Sequence, residues 1–292
     1  VKLLRVGPPG EERPAVLDEA GRARDLRGLL GHEADFDGAF FASGQTARIA
    51  NALLSDELPL LGGDGITGTP ESRIGPPIAR PGKIVCIGLN YRDHAEETGA
   101  ALPTEPIIFM KAPNTVVGPG DEVLIPRGSV KTDWEVELAV VIGATARYLG
   151  SHQEALACVA GYAVSNDVSE REFQLERGGQ WDKGKSCETF NPLGPWLVTA
   201  DEVPDPQSLG LRLWVNGEVR QDGDTKNMIF GVAEVVRYVS QFMVLEPGDV
   251  INTGTPAGVA LGMPDHPYLR KGDVVELEID GLGRQRQIVG QA

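Results

Sequence analysis

The residues of this chain best suited to chemistry gather around Glu135 and Glu137, in the stretch Asp133-Trp134-Glu135-Val136-Glu137-Leu138-Ala139-Val140-Val141-Ile142. The stretch alternates at first and then runs apolar, which predicts a strand passing into a core. Side chains along a strand repeat with period two, so both carboxylates project from one face. Adjacent carboxylates repel, and placing them against a core calls for a positive partner. A divalent cation fits that need, and oxygen-only ligands select Mg²⁺, Mn²⁺ or Ca²⁺ over zinc. The same pattern recurs at Val274-Val275-Glu276-Leu277-Glu278-Ile279, where it reads as an exposed strand ahead of the turn Asp280-Gly281. Glu-x-Glu is therefore no signature by itself.

Asp167 is a candidate third ligand. It follows the apolar run Val159 to Val164, at the end of a predicted buried strand, where the plain alternative is a turn residue or helix N-cap. Three carboxylates would leave about half of an octahedral shell for water or substrate, an arrangement of catalytic character. His94 lies in Gly88-Leu89-Asn90-Tyr91-Arg92-Asp93-His94-Ala95-Glu96-Glu97. In a helix, the i,i+3 spacing sets Glu97 beside it. A carboxylate next to an imidazole holds its tautomer and raises its basicity, as a water-activating base requires. The alternative is an ordinary exposed histidine on a surface helix. His32, His152 and His266 read as structural.

Gly179 to Ser186 fits the letters of the phosphate loop GxxxxGK[ST]. That loop needs a buried strand before it and a helix after it. Here the polar Glu170 to Gly178 precedes, and turn-rich residues follow. Lys183 and Lys185 could instead hold a substrate carboxylate or a developing oxyanion, or simply lie at the surface. Gly248 to Val259 predicts a strand running into a Gly-rich turn, whose N–H groups and Thr255 hydroxyl could grip a carboxylate. Cys187 has no histidine near it in sequence and reads as a packing residue.

The elements that must position these residues are mostly short strands. Lys2 to Val6, Arg13 to Leu17 and Ala23 to Leu26 predict strands, and Thr46 to Leu54 a helix. Segment 62–82, rich in Gly and Pro, reads as a linker, which places a boundary near residue 75. Residues 1–75 would form a small N-terminal accessory domain and 76–292 the larger, catalytic one. Helices are expected around Asp93 to Glu97 and Ala233 to Phe242, and Asn216-Gly217 marks a hairpin. The fold class is strand-rich α+β. The net charge of -15 argues against a nucleic-acid partner or an anionic membrane surface. Anionic substrates would need a local cation. Three cysteines without CxxC spacing, and no apolar run of membrane-spanning length, predict a reduced, cytoplasmic protein.

Taken together, these pieces resemble the fumarylacetoacetate hydrolase family across residues 80 to 290. The matching segments occur in the family's order. They are Gly88-Leu89-Asn90-Tyr91 with Asp93-His94, Glu135-x-Glu137, Asn166-Asp167 with Arg171 and Gln174, Gly184-Lys185-Ser186, and Thr253-Gly254-Thr255-Pro256-x-Gly258-Val259. The resemblance implies a mixed β-roll, a Mg²⁺ or Mn²⁺ site (Ca²⁺ serving in vitro) and a homodimer. It implies Glu135, Glu137 and Asp167 as metal ligands and His94 with Glu97 as the water-activating pair. Lys185 becomes an oxyanion or substrate contact, and Arg171, Gln174 and Thr255 substrate contacts. The tyrosine-catabolism member has a further metal-binding Asp seven residues before its His, where this chain has Ile87. Fumarylacetoacetate itself is therefore not the expected substrate. The chain looks closest to acylpyruvases and to hydrolases of 2,4-dioxo-3-deoxy sugar acids. The implied activity is metal-dependent C–C cleavage of a 2,4-dioxo acid to pyruvate and a carboxylic acid. Oxaloacetate decarboxylation or hydroxy-dienedioate isomerisation are alternatives, and so is a non-catalytic binding protein stapled by metal.

Overall fold

Every residue of strand Val136–Ile142 is buried, because the strand lies within a mixed sheet of eleven strands covered on both faces. This computed structural model describes residues 1–61 and 73–292. The main path of the sheet runs Ala23–Asp25, Arg13–Leu17, Lys2–Val6, Asn191–Thr199, Val159–Asn166, Val136–Ile142, Val250–Asn252, Ile84–Gly88, Ile107–Lys111. Neighbours on this path are antiparallel except Val250–Asn252 and Ile84–Gly88, which run parallel.

Alternate side chains of the Val136–Ile142 strand enter two different cores, as the period-two geometry requires. On one face, Val136, Leu138 and Val140 share a core with Leu211, Leu213, Val275 and Leu277 of a second, five-stranded sheet. Helix Val232–Val239 adds Val232, Val235, Val236 and Val239 to that core, a spacing that keeps them on one side of the helix. On the other face, Ala139 and Val141 pack with Leu3, Phe36, Phe40, Phe41 and Ile49. The strand Lys2–Val6 is hydrogen-bonded to Asn191–Thr199. Residues ahead of position 75 thus share both a sheet and a core with those that follow. Of the Gly- and Pro-rich segment 62–82, residues 62–72 lie outside the described residues, and Ile74–Gly75 pairs with Lys2–Val6.

The expected strands at Lys2–Val6 and Arg13–Leu17 and the helix Thr46–Leu54 are present. Asn216 and Gly217 both have positive φ, 53° and 81°, and join Gly210–Val215 to Glu218–Asp224. One element differs. The single strand expected from Asp133 to Ile142 is divided into Thr132–Asp133 and Val136–Ile142. The backbone N–H groups at the break go to side chains instead: Trp134 N donates to Asp133 Oδ1 at 2.8 Å and Glu135 N to Asn166 Oδ1 at 3.1 Å. Among the described residues, no helix is long and apolar enough to cross a membrane.

Candidate active site and metal centre

The antiparallel register sets Val136 opposite Asn166 and Glu137 opposite Ser165. Glu135 and Asp167, one step further out, therefore meet where the two strands end. The Asp167 N–H donates to the Glu135 carbonyl at 2.9 Å. Carboxylate oxygens of Glu135, Glu137 and Asp167 lie within 4.8 Å of one another, all three residues being buried. Strand Val250–Asn252, on the other side of Val136–Ile142, leads into Thr253-Gly254-Thr255. There the Gly254 N–H donates to Glu137 Oε2 at 2.8 Å. Gly254 has φ +98°, and a Cβ at this position would fall 2.7 Å from the Asn90 Cβ, so only glycine delivers that N–H here.

Three cations surround the carboxylates. Lys185 Nζ bridges Glu135 Oε2 at 2.9 Å and Asp167 Oδ2 at 2.8 Å. Lys111, buried in strand Ile107–Lys111, binds the other Asp167 oxygen and donates to the Val168 carbonyl at 3.0 Å. Arg171 donates through Nε to Asp133 Oδ2 at 2.8 Å and through Nη1 to Gln174 Oε1 at 3.0 Å, with Nη2 2.7 Å from Glu135 Oε1. Burial opposes charge on Glu135, but Lys185 and Arg171 outweigh it and hold that carboxyl at about 2. Glu137 goes the other way. Burial, reinforced by the Asp167 and Glu135 charges, pushes it well above the ordinary carboxylate range. Glu137 thus lacks the positive charge its neighbours have. An all-oxygen donor set with one under-compensated carboxylate fits a hard divalent cation, and the Lys185 ammonium already bridges two of the three carboxylates.

Helix Arg92–Glu97 buries His94. Its Nδ1 lies 3.4 Å from Glu97 Oε2, and Glu97 is anchored by the Gly258 N–H at 3.0 and 3.1 Å. His94, Glu135, Glu137, Arg171, Gln174, Lys185 and Thr255 line one cavity of about 210 Å³. Glu97 and Asp167 stand behind its wall. Thr255 differs from expectation in one respect. Its hydroxyl donates to the Val136 carbonyl at 2.9 Å and accepts from Gln221 at 2.8 Å, so the donor expected to grip a substrate is spent on the main chain. Lys183 points elsewhere, donating to the Arg177 carbonyl at 2.6 Å. The phosphate-loop lettering is likewise explained: a π-helical turn, Glu172–Glu176, precedes it, and the Lys185 side chain is held by carboxylates. A larger cavity of about 490 Å³ lies away from this chemistry, and within its wall Arg5 and Arg73 pair with Glu12, Asp35 and Asp121.

Sequence reasoning misses Lys111, Asp133 and Trp181. Asp133 is fully buried and accepts from the Ala260 and Leu261 N–H groups, at 2.8 and 3.0 Å, besides Arg171. It ties the Arg171 loop to the turn that follows Gly258. A charged residue closing the apolar run Ile107 to Met110 is the one local signal Lys111 offers. The comparison stretch behaves as expected of a surface strand, since Glu276 and Glu278 are half-buried and face Arg284 and Arg212.

Fold and site together define a hydrolase/isomerase scaffold with a buried acidic triad beside a His–Glu pair. Residues 83–290 match the family described as Fumarylacetoacetate (FAA) hydrolase C-terminal, and the chain belongs to that family. A Burkholderia multivorans protein, provisionally called a hydrolase, is 53% identical over 293 residues, covering 100% of both chains. A fumarylacetoacetate hydrolase from Exiguobacterium antarcticum superposes with a TM-score of 0.86 at 35% identity, over 100% of this chain and 99% of that one. A 2-hydroxyhepta-2,4-diene-1,7-dioate isomerase from Mycobacterium marinum gives 0.74 at 32%, over 100% and 98%. Maleylpyruvate hydrolase from Sphingobium sp. SYK-6, in complex with manganese(II) and pyruvate, gives 0.78 at 28%, over 100% of both.

Proposed function

We propose that the protein hydrolyses the C3–C4 bond of a 2,4-dioxo acid, R–CO–CH₂–CO–COO⁻, with water to R–COO⁻, pyruvate and a proton. The observation that carries this reading is that His94, Glu135, Glu137 and Lys185 line one small cavity, with Glu97 against His94 and Asp167 against Glu135 and Lys185 behind its wall. A divalent cation on Glu135, Glu137 and Asp167 would supply Lewis acidity toward the 2-oxo acid. His94, its ring oriented by Glu97, takes the proton of the attacking water. Lys185 spends two of its three N–H bonds on Glu135 and Asp167. The third serves the oxyanion that forms at C4. Collapse of that oxyanion breaks C3–C4, the proton His94 took from water passes to C3 to complete pyruvate, and the carboxylic acid formed at C4 ionises, releasing the proton of the overall equation. Thr255, Gln174 and Arg171 shape and hold the site around these atoms. The manganese–pyruvate complex of the Sphingobium relative supports the choice of metal and product.

The test follows the ultraviolet enol band of a short acylpyruvate with Mn²⁺ or Mg²⁺, then with EDTA, alongside pyruvate detection. Metal-dependent loss with one pyruvate per substrate is the expected result. The isomerase among the structural neighbours supports a second reading, in which the same site tautomerises a hydroxy-dienedioate. Loss of the band without pyruvate would select it. Chelation that lowers the melting temperature, with no 2-oxo acid turned over, would instead indicate a metal-stapled binding protein.

A further inference from the structure

Glu97 stands at the end of helix Arg92–Glu97, with 20% of its side chain exposed. Among the described residues, its carboxylate is bonded by the Gly258 N–H and lies against His94 Nδ1. A flexible side chain held by one backbone donor takes its position from the surface it lies on. That surface is the turn from Gly258 to Gly262, which two fully buried residues hold in shape. Trp134 Nε1 donates to the Gly258 carbonyl at 3.0 Å. Asp133 receives the Ala260 and Leu261 N–H groups at the start of the 3-10 turn Ala260–Gly262. Leu261 of this turn lines the cavity, with Leu89, Phe109, Leu175 and Trp181 on the same apolar side.

Gly262 ends the turn against the Glu97 carboxylate. A Cβ there would fall 2.3 Å from Glu97 Cδ and 2.5 Å from Oε2, far inside contact distance. The Gly262 backbone is not in the positive-φ region, so its conformation accepts alanine. What an added methyl meets is the far end of one flexible, partly exposed side chain rather than the main chain. Alanine at this position is therefore expected to displace Glu97 and leave the fold standing. Gly258 differs. Its φ of +104°, and a Cβ position 1.9 Å from the Arg220 carbonyl oxygen, make glycine a requirement of the fold there.

Resting on the general-base reading above, we propose that Gly262 is a positioning residue for His94. Its bare Cα is the floor on which the Glu97 carboxylate lies. The carboxylate so placed accepts from Nδ1–H and leaves His94 Nε2 as the ring nitrogen that takes a proton from water.

The test has two readouts on the Mg²⁺-loaded protein. The first needs no substrate: the imidazole ¹⁵N shifts of His94 at alkaline pH, which distinguish a protonated from a bare ring nitrogen. Wild type is expected to show the Nδ1–H tautomer. Gly262→Ala should show a mixture of tautomers, as Glu97→Ala does. The second readout is hydrolysis of a short acylpyruvate. Gly262→Ala should lower kcat about 10²-fold, the effect of misplacing a catalytic group by about 1 Å, with KM and Mg²⁺ affinity little changed. In a His94→Ala background, Gly262→Ala should lower kcat no further, because the group it positions is gone. Wild-type shifts in Gly262→Ala would overturn the inference, and so would losses that multiply in the double variant. A lower melting temperature with unchanged ¹⁵N shifts would reduce Gly262 to a packing role and overturn it too. Mixed tautomers in Gly262→Ala, from a wild type that turns over no acylpyruvate, would uphold the positioning and remove the 2,4-dioxo acid reading instead.

Discussion

Glu137 is the side chain most at odds with its surroundings when no cation is bound. Its folded-state pKa is raised by burial, then by Asp167 and Glu135. Between the ordinary glutamate value of 4.5 and that raised value the folded protein holds a proton that the unfolded chain has lost. Stability of the metal-free protein should therefore fall as pH rises through this window. Glu135, held at about 2, acts in the opposite sense, contributing stability above pH 4.5 that is lost as pH falls toward its folded value. Melting temperatures of the chelated protein across pH 4 to 9 check this; Glu137→Gln should flatten the alkaline decline, and Mn²⁺ should reverse it in wild type. His94 is the second residue whose removal is diagnostic. His94→Ala should lower C–C hydrolysis by roughly 10²–10⁴-fold, the usual contribution of a general base. Its Mn²⁺ affinity, measured by titration, should be unchanged because His94 is not among the clustered carboxylates. Full activity in that variant would remove it from the mechanism.

Turns and strand ends decide how these residues meet, and Asp133 is the clearest case. It receives Arg171, the Ala260 N–H and the Leu261 N–H in a site with no solvent exposure. Replacing it leaves a buried guanidinium without that partner and two backbone donors unpaired. Asp133→Ala should cost about 3–5 kcal/mol, read from urea unfolding. This residue also marks what a sequence can and cannot disclose. Glu135 with Glu137, and His94 with Glu97, are legible because period two and an i,i+3 step are local geometry. Asp167 is legible as the end of a buried strand. Lys111, in contrast, acts on Asp167 from 56 positions away, and Asp133 on Ala260 from 127. No spacing rule reaches that far. The break between Thr132–Asp133 and Val136–Ile142 escapes notice for the same reason, since Asn166 supplies the bond that ends the ladder.

At the scale of the molecule, the N-terminal segment is bound in by more than its linker. Lys2–Val6 extends the main sheet, and Phe36, Phe40, Phe41 and Ile49 complete the core beneath Ala139 and Val141, with Trp181 packed at its margin. Thermal unfolding should accordingly show one transition, with coincident melts by far-ultraviolet circular dichroism and tryptophan fluorescence. Two separated transitions would mean that residues 1–75 fold on their own. The antiparallel ladder that brings Glu135 opposite Asp167 has a further consequence, for descent. The three acidic side chains stand on or directly beside paired strands, as does Phe109, whereas the rest of the cavity's apolar lining comes from the stretches after Gly88, around Leu175 to Trp181, and past Gly254. Mutation can rewrite those stretches without disturbing the ladder. A lineage carrying this scaffold is thus free to trade one carbon skeleton for another while its inorganic chemistry is inherited intact.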